Sequence, residues 1–134
     1  MATLKTYLVE DSPVIRDNLV ATLEELVPLH VVGTAGEEAT AVQWLREAAN
    51  ECDLVIVDIF IRQGSGLNVL KQTCGDLAAA QRKHVVLSNY ATPDMRSRCL
   101  ELGADRVFDK SQEIDGLIEY CRNLSLALTG SAHS

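Results

Sequence analysis

Asp53-Leu54-Val55-Ile56-Val57-Asp58 decides the fold. Four apolar, mostly β-branched residues between two carboxylates read as a strand buried on both faces, in the middle of a sheet covered by helices above and below. Asp58 then emerges at the rim that open α/β sheets use for ligands. On this segment alone, a cap on the following loop explains Asp58 equally well.

Working outward, the pattern repeats. Thr6 to Val9 is a short apolar strand ending at Glu10-Asp11, and Ser12-Pro13 opens a helix with a polar cap and proline in the first turn. Ile15, Leu19, Leu23 and Leu26 recur at helical spacing, and Pro28 ends the run. Leu29 to Thr34 predicts a second strand closed by a Gly33-Thr34-Ala35-Gly36 turn; the next helix carries Ala39, Val42, Leu45 and Ala49 inward, with Trp44 at its edge. Beyond the central strand, Arg62 to Gly66 reads as a flexible loop, Ser65 as a helix cap, and Leu67, Leu70 and Cys74 as the inward stripe. His84 to Leu87 is a fourth strand ending at Ser88, and Thr92-Pro93 starts a helix with Met95, Cys99 and Leu102, stopped by Gly103. Arg106 to Phe108 is a fifth strand before Asp109-Lys110-Ser111, and Ile114, Leu117, Cys121, Leu124 and Leu128 face inward from the last helix. Strands alternating with helices imply a parallel sheet with right-handed crossovers, a doubly wound α/β fold. One domain is expected over residues 1–129, with a loose tail over 130–134.

Composition narrows the function. Hydrophobic residues make up 47% of the 134, enough for a core, and the net charge of −7 argues against direct nucleic-acid binding. No apolar run approaches a membrane span, and the N-terminus has no signal-peptide core. The widely spaced Cys52, Cys74, Cys99 and Cys121 read as reduced core residues of a cytoplasmic protein. His30, His84 and His133 have no evident catalytic partners.

In a parallel sheet all the strands' C-terminal ends share one rim. Glu10, Asp11, Asp58, Ser88 and Lys110 therefore converge there. Two carboxylates ~4 Å apart repel by roughly 4 kcal/mol at an effective dielectric near 20. Lys110 answers part of that charge, and a hard divalent ion, Mg²⁺ before Ca²⁺, answers the rest. The set suits phosphoryl transfer to a carboxylate nucleophile. No acyl-transfer serine motif, Walker loop or dinucleotide fingerprint competes.

Glu10-Asp11, Asp58, Ser88 and Lys110, in this order and spacing, resemble the receiver domain of two-component response regulators, from Tyr7 to about Leu128. The resemblance implies a flavodoxin-like (βα)5 fold with strand order 2-1-3-4-5, an order that is also a stock example for receivers. It implies that Asp58 accepts phosphoryl from a histidine kinase or phosphotransfer domain, with Lys110 and Ser88 binding the phosphoryl group. Asp11, Asp58 and the Phe60 carbonyl would hold Mg²⁺, with Glu10 acting through water. The expected protein is no enzyme in its own right beyond assisting its own phosphorylation and dephosphorylation. It would be a stand-alone, monomeric or weakly dimeric receiver that contacts a downstream protein or passes phosphate on.

Several positions depart from the family pattern. Ser111 stands where a proline usually follows the lysine; that peptide is cis in the family, which costs about 3–4 kcal/mol without proline. The loop is then strained or built differently. Arg62 replaces another common proline. Val107 aligns with the family's switch aromatic while Phe108 faces the opposite side, so coupling of Ser88 to an aromatic rotamer is expected to be weak. Asn89 crowds the site, and Tyr90 shields it or meets a partner, altering phosphate lifetime. The alternative is a receiver-fold interaction module without a strong switch. A small magnesium-dependent phosphatase is a third class, for which Ile59-Phe60-Ile61 offers no second carboxylate.

Overall fold

A computed structural model describes residues 3–47, 49–74 and 82–133, with residues 128–133 as backbone only. Ten elements alternate: β1 Leu4–Val9, α1 Pro13–Leu26, β2 Leu29–Ala35, α2 Glu38–Arg46, β3 Leu54–Val57, α3 Gly66–Thr73, β4 Lys83–Ser88, α4 Pro93–Glu101, β5 Arg106–Asp109 and α5 Ile114–His133. The five strands form one parallel sheet in the order β2-β1-β3-β4-β5. All four β3 residues are buried, as a central strand covered on both faces requires.

The period of two along each strand sorts the core into two layers. Tyr7, Val9, Val55, Val57, Val86 and Val107 pack against α2, α3 and α4. Leu8, Leu54, Ile56, Val85, Leu87 and Phe108 pack against α1 and α5. Val107 and Phe108 thus lie on opposite faces, as their adjacency in a strand dictates.

The side-chain caps fall at the expected helix starts. Ser12 Oγ accepts from Ile15 N, Ser65 Oγ from Leu67 N and Thr92 Oγ1 from Met95 N. Each satisfies one of the donors a helix start leaves orphaned. Gly103, at φ +111°, turns the chain after α4 in a conformation glycine adopts without strain.

Several expectations are corrected. Gly33, Thr34 and Ala35 are not a turn but the last residues of β2, whose register against β1 shifts between Thr6 and Tyr7. The shift lets Gly33 face Tyr7: a Cβ there would lie 2.9 Å from the tyrosine ring. The vacant space admits Trp44, which stacks on Tyr7 at a centroid distance of 4.1 Å. Ala39 is exposed and Ala41 buried in α2, which ends before Ala49. Ile15 and Leu26 are exposed on α1, leaving Leu19 and Leu23 as its fully buried contacts. Gly66 belongs to α3 rather than to a flexible loop, and Cys74 caps that helix. The backbone stays helical to His133, through most of the segment read as a loose tail. Gly75 and the side chain of Leu128 lie outside the described residues.

The four cysteines are free thiols. His84 is buried on β4, and burial, outweighing the nearby Asp105 carboxylate, lowers its pKa to about 4. Below the ordinary imidazole pKa near 6.5 the unfolded chain takes a proton that the folded chain refuses, so stability falls with pH across this window. That lowering corresponds to roughly 3 kcal/mol. Between pH 7 and pH 4 the wild type should lose about that much more unfolding free energy than His84→Leu. Parallel pH profiles for the two proteins contradict this assignment.

Candidate functional site: the carboxylate and lysine cluster at the strand ends

Parallel pairing sets the rim. Val9 pairs with Val57, and Val57 with Val86, so the residues that follow these strands leave the sheet side by side. The main chain holds this edge together: Glu10 N donates to Ala35 O, Asp58 N to Val9 O and Lys110 N to Ser88 O. Ser88 ends β4, and Glu10, Asp58 and Lys110 stand directly past the ends of β1, β3 and β5, where these main-chain bonds tie them to the sheet more rigidly than a free loop would.

The Lys110 ammonium lies between two carboxylates. Nζ donates to Glu10 Oε1 at 2.5 Å and to Asp58 Oδ2 at 2.8 Å. Glu10 is only 2% exposed and Asp58 only 7%, so these bonds are little screened by water. The second oxygen of each carboxylate is also held: Glu10 Oε2 accepts from Ser12 N, and Asp58 Oδ1 from Phe60 N. One oxygen each from Glu10, Asp11 and Asp58 lie within 4.8 Å of one another. Lys110 is the one cation bonded to this acidic cluster's carboxylates among the described residues. The donor set of carboxylate oxygens at an open edge fits a hard divalent cation such as Mg²⁺.

Burial pushes the Asp58 pKa up, and the hydrogen bond and charge of Lys110 offset that only in part, with Glu10 adding repulsion. Burial would lower the Lys110 pKa, but its bonds and charge interactions with Asp58 and Glu10 outweigh it and the net shift is upward. The pair is thus a carboxylate that its surroundings make reluctant to hold charge beside an ammonium that holds it firmly. Extra positive charge would be drawn to such a carboxylate.

Ser88 is fully buried at the end of β4, and its Oγ accepts from Tyr90 N at 3.1 Å. Asn89 is exposed and shares with Lys110, Leu87, Ile15, Leu19 and Ile114 a groove of about 360 Å³. Phe60 and Tyr90 are 54% and 64% exposed and meet edge to face, with centroids 5.2 Å apart. They bridge the loops that follow β3 and β4. Val107 is buried in the layer facing α2 to α4; Phe108 is buried opposite, 6.0 Å from the Tyr120 ring.

Two features escaped sequence reading. Arg62 reaches back across 51 residues, its Nη2 donating to Asp11 O at 3.4 Å. No local pattern forecasts so distant a contact. The turn carrying Lys110 is built without a cis peptide, since none occurs among the described residues. Asp109 Oδ1 instead accepts from Ser111 N, Ser111 Oγ and Gln112 N. An aspartate two residues before a serine is a signal for such a turn.

Known proteins share this fold. The family model for the response regulator receiver domain matches residues 6–122. A protein-glutamate methylesterase/protein-glutamine glutaminase from Azospirillum brasilense is 29% identical over 127 residues, covering 90% of this chain and 31% of that protein. The transcriptional regulatory protein LiaR of Bacillus subtilis is 26% identical over 101 residues, 75% of this chain and 46% of LiaR. The chain thus spans less than half the length of these relatives. Among solved structures, the receiver domain of a DNA-binding response regulator from Colwellia psychrerythraea superposes with a TM-score of 0.80 at 23% identity, covering 90% of this chain and 97% of that one. The response regulator domain of Thermotoga maritima CheB gives 0.74 at 20% identity, with 91% and 98% covered. At these identities the structures speak for the fold, while the family model spans the strands that carry Glu10, Asp58, Ser88 and Lys110. The chain belongs to the response regulator receiver domain family.

Proposed function

We propose that Asp58 is a phosphoacceptor that takes its phosphoryl group from a phosphohistidine on a histidine kinase or phosphotransfer protein. The observation that carries this reading is the Asp58 carboxylate itself. It stands at the end of a buried strand, bonded to Lys110 at 2.8 Å and clustered with Glu10 and Asp11. An Asp58 oxygen attacks phosphorus, the Oδ–P bond forms, and the P–N bond to histidine breaks. The imidazole leaves with the electron pair and takes up a proton. Hydrolysis later returns the carboxylate and inorganic phosphate. The Lys110 ammonium turns toward the phosphoryl oxygens, and the Ser88 hydroxyl donates to another. Asp11, Asp58 and the Phe60 carbonyl would hold Mg²⁺, with Glu10 assisting through water. When bound, Mg²⁺ supplies the remaining positive charge against which the phosphoryl group transfers.

The output belongs to the same proposal: phosphorylation-dependent contact with a protein target, or onward relay of phosphate, in a cytoplasmic setting. No described helix is long and apolar enough to cross a membrane. A second reading, an interaction module without a strong switch, is favoured by one observation. Val107 and Phe108 are both buried, and no aromatic ring stands at Val107 to change rotamer when Ser88 moves.

Donor choice separates the acceptor from a phosphatase. With Mg²⁺ present, a small acyl phosphate should label the protein once, and unrelated phosphoesters should not be turned over. Steady phosphate release from the esters favours the phosphatase instead.

The Phe60–Tyr90 pair adds a prediction. We infer that the paired rings on these two loops shield Asp58 from water, so Tyr90→Ala should shorten the aspartyl phosphate lifetime a few-fold, in line with roughly 0.5–1.5 kcal/mol for such an aromatic contact. The decay of phosphorylated protein over time measures it, and an equal or longer lifetime contradicts it.

A further inference from the structure

We propose that Arg96 and Glu113 are positioning residues for Lys110, holding its turn in register with the loop that follows Ser88. The inference rests on the phosphoacceptor reading for its consequence, and on hydrogen-bond geometry for its substance.

Glu113 closes the turn from both ends. Its N–H donates to Asp109 O at 2.9 Å, and its Oε1 accepts from Asp109 N at 2.9 Å. Within that bracket Asp109 Oδ1 takes Ser111 N at 2.8 Å, Ser111 Oγ at 2.6 Å and Gln112 N at 3.2 Å. Lys110 is thus flanked by fixed backbone on both sides, and its own N–H is held by Ser88 O.

Arg96, on α4, joins this turn to the rest of the rim. Its Nη2 donates to the same Glu113 Oε1 at 2.5 Å, its Nη1 to Val107 O at 3.1 Å, and its Nε to Ala91 O at 2.8 Å. A planar guanidinium cannot move one of these donors without moving the others. Ala91 lies in the loop that carries Asn89 and Tyr90, and Val107 in the strand that delivers Lys110. One side chain therefore ties together the two segments that follow β4 and β5, which no ring-to-ring contact joins among the described residues.

The pair is ill suited to a purely stabilising role. Arg96 and Glu113 side chains are 35% and 39% exposed, and ion pairs so open to water add little to stability. Position is another matter, because Lys110 Nζ meets Asp58 Oδ2 at 2.8 Å and transfer rates fall steeply when reacting groups drift by an ångström.

The test uses the full chain as wild type, Arg96→Ala, Glu113→Ala, the double variant and Glu113→Gln. Labelling by a small acyl phosphate is followed against donor concentration at saturating Mg²⁺, with amide hydrogen exchange at Lys110 measured in parallel. Each alanine variant should lower the limiting rate about tenfold, the half-saturating donor concentration staying put. The double variant should be no slower than either single one, since the pair acts as a unit. Glu113→Gln keeps one carbonyl oxygen for both donors and should stay within about twofold of wild type. Lys110 amide exchange should quicken in the alanine variants while core amides hold. Unchanged rates, losses that multiply in the double variant, or a glutamine variant as slow as alanine overturn the proposal. If the wild type itself takes no phosphoryl group, the phosphoacceptor reading fails, and the exchange comparison still decides this one: unchanged protection at Lys110 overturns it.

Discussion

A Lys110→Met variant should take up phosphoryl groups from a small acyl phosphate on the order of 10²–10³-fold more slowly than wild type, the usual loss when one preorganised charge-stabilising donor is removed. The same change should destabilise the fold. Glu10 and Asp58 are buried around the ammonium, and breaking a buried pair by removing one partner costs about 3–5 kcal/mol. The sign of its pH dependence is distinctive. Asp58 already sits above the ordinary carboxylate range because of burial, with Lys110 holding it down in part. Without Lys110 its pKa rises further, so between the ordinary and raised values the folded chain binds a proton the unfolded chain does not. The deficit of Lys110→Met should therefore be greatest near neutral pH and shrink on acidification through that window. Denaturant unfolding of both proteins across pH measures it; a deficit that grows toward acid contradicts the assignment of Lys110 as counter-ion to Asp58.

Gly66→Ala should unfold the chain more readily by about 3 kcal/mol, at the upper end of what overpacking costs. Gly66 is the first residue of α3, and a Cβ there would lie 2.1 Å from Asp58 O and 2.8 Å from both Asp58 C and Ile59 Cα. These are main-chain atoms of the Asp58–Ile59 segment, so no side-chain rotation relieves the clash. Helix propensity works the other way, favouring alanine by about 1 kcal/mol, and is too small to win. Relief by shifting the Asp58 main chain would move the carboxylate away from Lys110, so labelling at Asp58 should slow along with the loss of stability. A variant more stable than wild type would show that propensity dominates and that the close approach carries no constraint.

The amount legible in the sequence follows from which interactions are local. Leu54 to Val57 declared a central strand because burial on both faces leaves no room for alternation, and polar residues closing each apolar run placed Glu10, Asp58, Ser88 and Lys110 on one rim. Helix faces were harder. α2 has only nine residues, Glu38–Arg46, and its apolar positions allow two stripes; the sheet took Ala41 and left Ala39 to solvent. β2 runs to Ala35, past its expected end at Thr34, and its register shift sets Gly33 against Tyr7, where the missing side chain leaves space for the Tyr7–Trp44 stack. The polar links between Arg96 and Glu113 and between Arg62 and Asp11 join residues 17 and 51 apart, and appear only once the helices are packed. Ser111 hinted only at the fixings of the turn that carries Lys110, because a turn without proline needs other bonds.

Phosphoryl transfer to Asp58 would add one covalent group to the intact chain. Intact mass of the full chain, incubated with Mg²⁺ and a small acyl phosphate, tests it most directly, with Asp58→Asn treated alongside. A single phosphoryl adduct on the wild type and none on Asp58→Asn is the expected result. An unmodified wild type, with that donor and with phosphohistidine donors alike, or an adduct that survives in Asp58→Asn, would contradict it.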